Sequence, residues 1–207
     1  MTGVLQAFSG WLDRRRWQAL AAVVAILTAA IPAQALWREW LLHHGTVVRL
    51  QAVPVDPWDL FRGAYVTLNY AVLQADLTAL PGTPAVLAAI GPMNDGPAWL
   101  VVSADAPDHP LDLLPQPPAA PAAGTVALAV WVDRDEGERL TVTLPSLERY
   151  YLAPDPAKAM EGEVRAGRLS VEAAVAADGT PALRGLWVDG EKVADERLFG
   201  GGEEVRR

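Results

Sequence analysis

The chain of 207 residues has no cysteine, three histidines and two lysines. The absence of cysteine excludes disulfides, thiolate-bound metal ions and a cysteine nucleophile. The net charge is −8, and the body of the chain has no basic run. Nucleic-acid binding is therefore not expected, because phosphate contacts need clustered Lys and Arg. An apolar content of 51% excludes a disordered chain, and 17 Gly with 17 Pro favour strands joined by turns over a helical bundle.

The longest apolar run covers residues 17–36 and contains no charged side chain. As a helix, it would be about 30 Å long, which is the thickness of a bilayer core. Arg14, Arg15 and Arg16 precede it, whereas Arg38 and Glu39 after it cancel. The positive-inside rule then predicts a cytoplasmic N-terminus and an exported remainder.

The same run also fits two other interpretations. Arg14 to Arg16 could be the basic start of a signal peptide, with Ala33-Gln34-Ala35 as its small-residue cleavage site. The run could instead be a buried helix of a soluble protein. We expect an uncleaved anchor. The anchor divides the chain into four parts: a cytoplasmic N-terminus (residues 1–16), a transmembrane segment (17–37), an exported domain (38–190) and a flexible tail (191–207).

Alternating apolar and β-branched segments predict the strands of the exported domain. The predicted strands are residues 46–53, 64–72, 84–90, 98–103, 125–132, 139–144, 168–176 and 181–188. Residues 107–124 contain six prolines and are predicted to be a loop, and residues 156–165 are the one helix expected in the domain. The predicted fold is α+β with mainly antiparallel sheet, after an N-terminal transmembrane helix.

A motif between residues 54 and 70 resembles the GDYXXLXY family of membrane-anchored bacterial proteins. Its matching residues are Pro54, Asp56, Pro57, Gly63, Tyr65, Leu68 and Tyr70, with Ala64 where the family motif has Asp. Later blocks agree with the family in the same order: residues 148–151, 160–161, 166–168 and 188–190. The resemblance implies a membrane-anchored protein of uncharacterised activity, often encoded beside multi-span membrane proteins, with no assigned catalytic residue.

The motif residues themselves indicate packing or partner binding. Gly63 ends a proline-rich turn, where it is expected to supply a backbone angle that a side chain would strain. Tyr65 and Tyr70 are five residues apart, so on one strand they point to opposite faces and cannot form one catalytic pair.

Other polar residues have simpler interpretations than catalysis or metal binding. His43 and His44 are adjacent, so on a helix they diverge by about 100° and cannot face one metal ion together. Asp56 and Asp59 flank a proline and are expected to cap a turn. The acidic residues between 133 and 138 are expected to be a solvated hairpin tip. None of the four serines lies in G-x-S-x-G. We therefore predict no catalytic, cofactor-binding or metal-binding residue.

Two functions remain as hypotheses from the sequence. The first is a non-enzymatic accessory or binding subunit of a membrane complex. It would sit in the inner (cytoplasmic) membrane with its domain in the periplasm, and a multi-span membrane protein is a possible partner. The second is an exported enzyme, or a carbohydrate- or peptide-binding module, with a cleft at residues 54–70. That cleft would gather Asp56, Asp59, Tyr65 and His109.

Overall fold

The computed structural model describes residues 2–53, 65–91, 94–134, 140–151, 160 and 162–198; side chains are described in these ranges except in residues 2–16, 65–67 and 151. The chain forms two compact units, residues 1–39 and residues 40–207.

Helix α1 runs from Thr2 to His44 and includes Pro32. Its residues Trp17–His44 are long and apolar enough to cross a membrane, and no other described helix is. The large apolar side chains from Trp17 to Trp40 are exposed, up to 75% at Ile31, whereas Leu41 and Leu42 are buried. The helix ends as expected at Gly45, whose N–H donates to the carbonyl oxygen of Leu41 at 2.8 Å.

Eleven described strands follow the helix. They are β1 (Thr46–Val53), β2 (Tyr65–Thr67), β3 (Asn69–Tyr70), β4 (Asp95–Ser103), β5 (Pro110–Leu114), β6 (Thr125–Arg134), β7 (Leu140–Thr143), β8 (Arg149–Tyr151), β9 (Leu169–Val175), β10 (Pro181–Val188) and β11 (Glu191–Asp195). Helix α2 (Thr83–Ile90) lies between β3 and β4. All the strand pairs are antiparallel. The predicted fold class, α+β with mainly antiparallel sheet, is confirmed.

Two sheets enclose one core, with a short ribbon of β2 and β8 beside them. The strand orders are β11-β10-β9-β1-β3 and β5-β4-β6-β7. Alternation along each strand sends every second side chain inward. In β9, Leu169, Val171, Ala173 and Val175 join the core, where residues of both sheets meet. Glu172 therefore lies on the opposite, outer face of the five-stranded sheet.

The prediction of a strand at residues 84–90 is wrong, because these residues belong to helix α2. Pro84 lies in the first turn, where its missing N–H costs nothing. Val86 and Ile90 are buried and four residues apart, which is a helical spacing. A short apolar run fits a strand or a helix equally well by periodicity, so the sequence alone did not separate the two.

The prediction of an unbroken loop at residues 107–124 is also wrong. Strand β5 lies inside it and pairs with β4 through partners such as Leu113 and Leu100. It is an edge strand that begins with Pro110, and these are the positions where a sheet tolerates a residue without an N–H.

The predicted strand at residues 64–72 is divided between two partners. In its described part, β2 pairs with β8 and β3 pairs with β1, after which Ala71–Gln74 form a 3-10 turn. The change of partner falls at Leu68, whose N–H donates to the carbonyl oxygen of Glu148 at 2.8 Å.

The expectation of a flexible tail from residue 191 is wrong for residues 191–195, which form β11 at the edge of the five-stranded sheet. The turn before β11 is Asp189-Gly190, with φ of 51° and 84°. An Asp-Gly pair with both residues in the left-handed region is the turn that joins adjacent antiparallel strands most tightly.

Candidate functional site

The described part of the motif pairs with a second family block. Pro54, Asp56, Pro57 and Gly63 lie outside the described residues, as does Ala64. In β2 and β8, Tyr65 lies opposite Tyr151, and Thr67 lies opposite Arg149. We call these two strands the motif ribbon. The blocks at residues 63–70 and 148–151, which are far apart in the sequence, are therefore neighbours in the fold.

The last two motif residues belong to the core. Leu68 and Tyr70 are 3% and 0% exposed. The Tyr70 hydroxyl donates to the carbonyl oxygen of Leu147 at 2.8 Å. Burial, and secondarily the charge of Glu148, raises the pKa of Tyr70 far above its ordinary value. The hydroxyl thus stays protonated and fixes the motif to the turn that leads into β8.

A second tyrosine ties the motif ribbon to the chain after β11. Tyr150 is half-buried, and its hydroxyl donates to Glu196 Oε1 at 2.7 Å. Burial raises the pKa of Tyr150, and the hydrogen bond and charge of Glu196 raise it further. The Glu196 N–H in turn donates to the carbonyl oxygen of Arg184 at 2.8 Å. These bonds connect β8 to the five-stranded sheet.

The blocks at residues 166–168 and 188–190 also meet. The Asp189 N–H donates to the carbonyl oxygen of Arg168 at 3.2 Å, and Arg168 Nε lies 3.4 Å from Asp189 Oδ2. From β1, Gln51 Nε2 donates to the carbonyl oxygens of Gly167 and Leu169 at 3.0 and 2.9 Å. The motif and three of its following blocks therefore contribute to the strand pairs and turns of one folded unit.

The sequence profile of the GDYXXLXY protein family matches residues 27–186. The chain belongs to this family. No curated protein and no solved structure matches the chain. The GDYXXLXY match starts inside α1 and ends within β10, so β11 and Glu196 lie beyond it.

Of the four residues of the hypothesised cleft, only His109 has a described side chain in this GDYXXLXY protein, so the cleft stays a prediction. Asp56 and Asp59 lie outside the described residues, and the Tyr65 side chain is not described. His109 is exposed in the loop before β5, where its neighbour Asp108 accepts a hydrogen bond from the Gln51 N–H at 3.1 Å. The described residues contain no group of three or more His, Asp or Glu that could hold a metal ion.

A charged cluster that sequence reasoning missed covers the outer face of the five-stranded sheet. We call it the cationic face; it consists of Arg49, Arg184, Trp187, Lys192 and Arg197 around Glu172 and Asp195. Glu172 is only 7% exposed. It accepts hydrogen bonds from Trp187 Nε1 at 2.9 Å and Lys192 Nζ at 3.1 Å, and Arg184 Nε lies 3.3 Å from its Oε1.

The second carboxylate of the cationic face, Asp195, pairs with basic residues at the edge strand β11. Asp195 accepts from Arg197 Nη2 at 2.6 Å and Nε at 2.9 Å, and it pairs with Lys192 Nζ at 2.8 Å. The hydrogen bonds from Arg197, and then those from Lys192, hold the pKa of Asp195 well below its usual range. Gly185 lies opposite both Glu172 and Asp195, and a Cβ there would come within 2.6 Å of Lys192 Cε. The missing side chain gives Lys192 room to reach Glu172.

The cationic face could not be found from the sequence because its members are spread over residues 49–197. The alternation of β1 and β9 indicated that Arg49 and Glu172 face away from apolar neighbours, but only the strand register places them opposite each other. Lys192 was missed for a different reason, since β11 was taken for a tail.

Proposed function

We propose that the chain is a single-span membrane protein whose β-rich domain is exported and serves as a non-enzymatic accessory or binding subunit of a membrane complex. The observation that carries this proposal is the uncharged stretch of α1, whose apolar side chains are exposed along its whole length. Each such side chain costs about 25 cal/mol per Å² in water, so lipid or another apolar surface is needed to cover the helix.

The charges beside the helix support the orientation. Arg14, Arg15 and Arg16 precede the uncharged stretch, and residues after it are acidic on balance. Under the positive-inside rule this keeps the N-terminus in the cytoplasm and exports the domain. Trp17 and Trp37 are separated by about 30 Å along a helix, which suits the two interfacial zones of a bilayer.

The motif supports a role in packing rather than catalysis at its described end. Leu68 and Tyr70 fill the core, and the Tyr70 hydroxyl is used in a buried hydrogen bond. A partner could contact the helix instead. Gln18, Thr28 and Gln34 lie within the uncharged stretch, and such side chains can hydrogen-bond to a neighbouring transmembrane helix.

Topology and anchoring can be tested together on the full chain. We expect a periplasm-active reporter fused after Arg207 to be active and a cytoplasm-only reporter to be silent. The chain should resist alkaline extraction from membranes, and its N-terminus should be Met1. An N-terminus at Leu36 would show cleavage after Ala35 and would replace the anchor with a secreted domain. A reversed reporter pattern in the wild-type chain would contradict the orientation. The R14E/R15E/R16E variant, which lacks the basic residues before the helix, is the control.

Partner binding can be tested by purification in mild detergent. We expect a multi-span membrane protein to co-purify with the chain. The variant Q18L/T28V/Q34L should remain in the membrane but lose this partner, whereas L20A/I26A/I31A, which leaves the polar side chains in place, should retain it. A wild-type chain that always purifies alone would contradict the proposal.

A further inference from the structure

We infer that the cationic face is a docking surface for the anionic phospholipid headgroups of the leaflet from which α1 emerges, an inference that rests on the proposed membrane anchor. The face carries four cations and two carboxylates. The other described residues of the domain carry four cations and twelve carboxylates. An anionic surface therefore attracts this face and repels the rest of the domain.

Arg49 is the residue best placed to bind a phosphate. It is exposed, and its guanidinium lies 3.7 Å from the centre of the Trp187 ring. Stacking of this kind uses the flat face of the guanidinium and leaves the N–H donors at its edge available. Its cross-strand neighbour Glu172 is already bound by Trp187, Lys192 and Arg184. Arg49 has no carboxylate partner among the described residues.

Arg184 contributes a further positive charge to the face. Its Nε is buried and forms no hydrogen bond with the described residues, although Glu172 Oε1 is 3.3 Å away. Lys192 is shared between Glu172 and Asp195. The two carboxylates hold these cations in place, and because four cations face two carboxylates, the face keeps a net positive charge.

The last residues of α1 pack beside this face. Leu41 and Leu42 pack on Ala174, which follows Glu172 by two residues in β9 and lies on the same outer face. Two strand residues span about 7 Å, so the cationic groups begin within one or two side-chain lengths of the helix end. Val47, opposite Ala174, is 41% exposed. An exposed apolar residue and a tryptophan next to basic groups suit the headgroup zone.

The absence of cysteine permits a direct test in the full chain. The Val47→Cys variant carries one fluorescent probe on the cationic face, and Thr141→Cys carries it on β7 of the other sheet as a control. Both are reconstituted in nanodiscs of phosphatidylcholine alone or with phosphatidylglycerol, together with a lipid that carries a quencher in its headgroup. We expect phosphatidylglycerol to increase quenching at residue 47 and not at residue 141, and high salt to abolish the increase.

Charge variants test which cations bind the anionic headgroups. Combined with Val47→Cys, Arg49→Gln should lower the docked-to-undocked ratio about fivefold, the effect of one cation near an anionic membrane surface. Arg134→Gln is the matched control, because it removes one cation from β6, where Arg134 Nη2 donates to Asn94. This control should leave the ratio unchanged.

Three results would overturn the inference. Quenching at residue 47 that is independent of lipid charge, in a chain that does insert, would refute headgroup docking and leave the anchor intact. A chain that does not enter nanodiscs would refute both. If Arg49→Gln leaves lipid-dependent quenching unchanged but abolishes co-purification of a membrane partner, the face binds an acidic protein segment instead.

Discussion

Apolar side chains have opposite surroundings in the two units of the chain. In the helical unit, Leu27 is 63% exposed, whereas Leu50, Leu100 and Leu128 in the domain are fully buried. Domain leucines are held by contacts within the chain. The described leucines of the helical unit, Leu20, Leu27 and Leu36, are more than half exposed and depend on what surrounds the molecule. Substitutions in the two units should therefore act on different equilibria: unfolding in the domain and membrane insertion in the helix.

The largest effect is expected from removing the core tyrosine of the motif. Tyr70→Ala leaves a cavity and deprives the Leu147 carbonyl of its donor, so it should lower the free energy of unfolding by about 4 kcal/mol. Denaturant unfolding of the detergent-solubilised full chain measures this. Tyr70→Phe keeps the ring and should cost about 1 kcal/mol, the value of one hydrogen bond. If Tyr70→Ala unfolds like the wild type but loses a partner, the motif is an interface.

A charge in the helix should affect insertion and not the domain. Leu27→Arg near the middle of the uncharged stretch should disfavour insertion by about 3 kcal/mol. More of the chain should then be released by alkaline extraction. Leu27→Ala is the control and should remain membrane-bound. The free energy of unfolding of the domain should stay within about 0.5 kcal/mol of wild type in both variants. A lower value would show that the domain depends on the helix.

A third substitution compares the effect on stability of a buried carboxylate in the domain with that of an exposed one. Glu172→Gln removes the charge that balances Lys192 and Arg184, and we expect a loss of about 2 kcal/mol. Glu191→Gln in β11 is the matched control, because Glu191 is exposed and should change stability by less than about 0.5 kcal/mol. Equal effects would indicate that Glu172 is solvated in the folded chain.

Strands rich in apolar and β-branched residues between clear turn signals were predictable from the sequence, and elements without these signals were not. The predictions of strands at β1, β4, β6, β7, β9 and β10 are confirmed. α2 was missed because eight residues give little periodicity. β5 was missed because it begins with Pro110 in a proline-rich segment, and this proline lies in an edge strand, where the sheet does not need its N–H. β11 is polar, but the Asp189-Gly190 turn before it was a usable signal.

The site was predictable in its parts and not in its geometry. The motif and the later blocks were found from the sequence, yet nothing in their order shows that β2 pairs with β8. Such pairing depends on register, which is set by the packing of the whole core. The same holds for Arg49 and Glu172, which only the fold places opposite each other.

The smallest effect, and the sharpest in its pH dependence, is expected at Asp195. Its folded-state pKa is lowered, chiefly by Arg197, below the value of about 3.9 in an unfolded chain. The ion pair thus contributes fully above about pH 4, and its contribution is lost as the pH falls towards the folded pKa. Asp195→Asn should cost about 1 kcal/mol at neutral pH, and the two unfolding curves should converge in acid. Asp189→Asn, at an exposed carboxylate, should run parallel to wild type. Leu27→Ala should also do so, because the helix holds no part of this ion pair. A difference between Asp195→Asn and wild type that persists unchanged in acid would mean that the variant disturbs the packing of β11 and not the charge of Asp195.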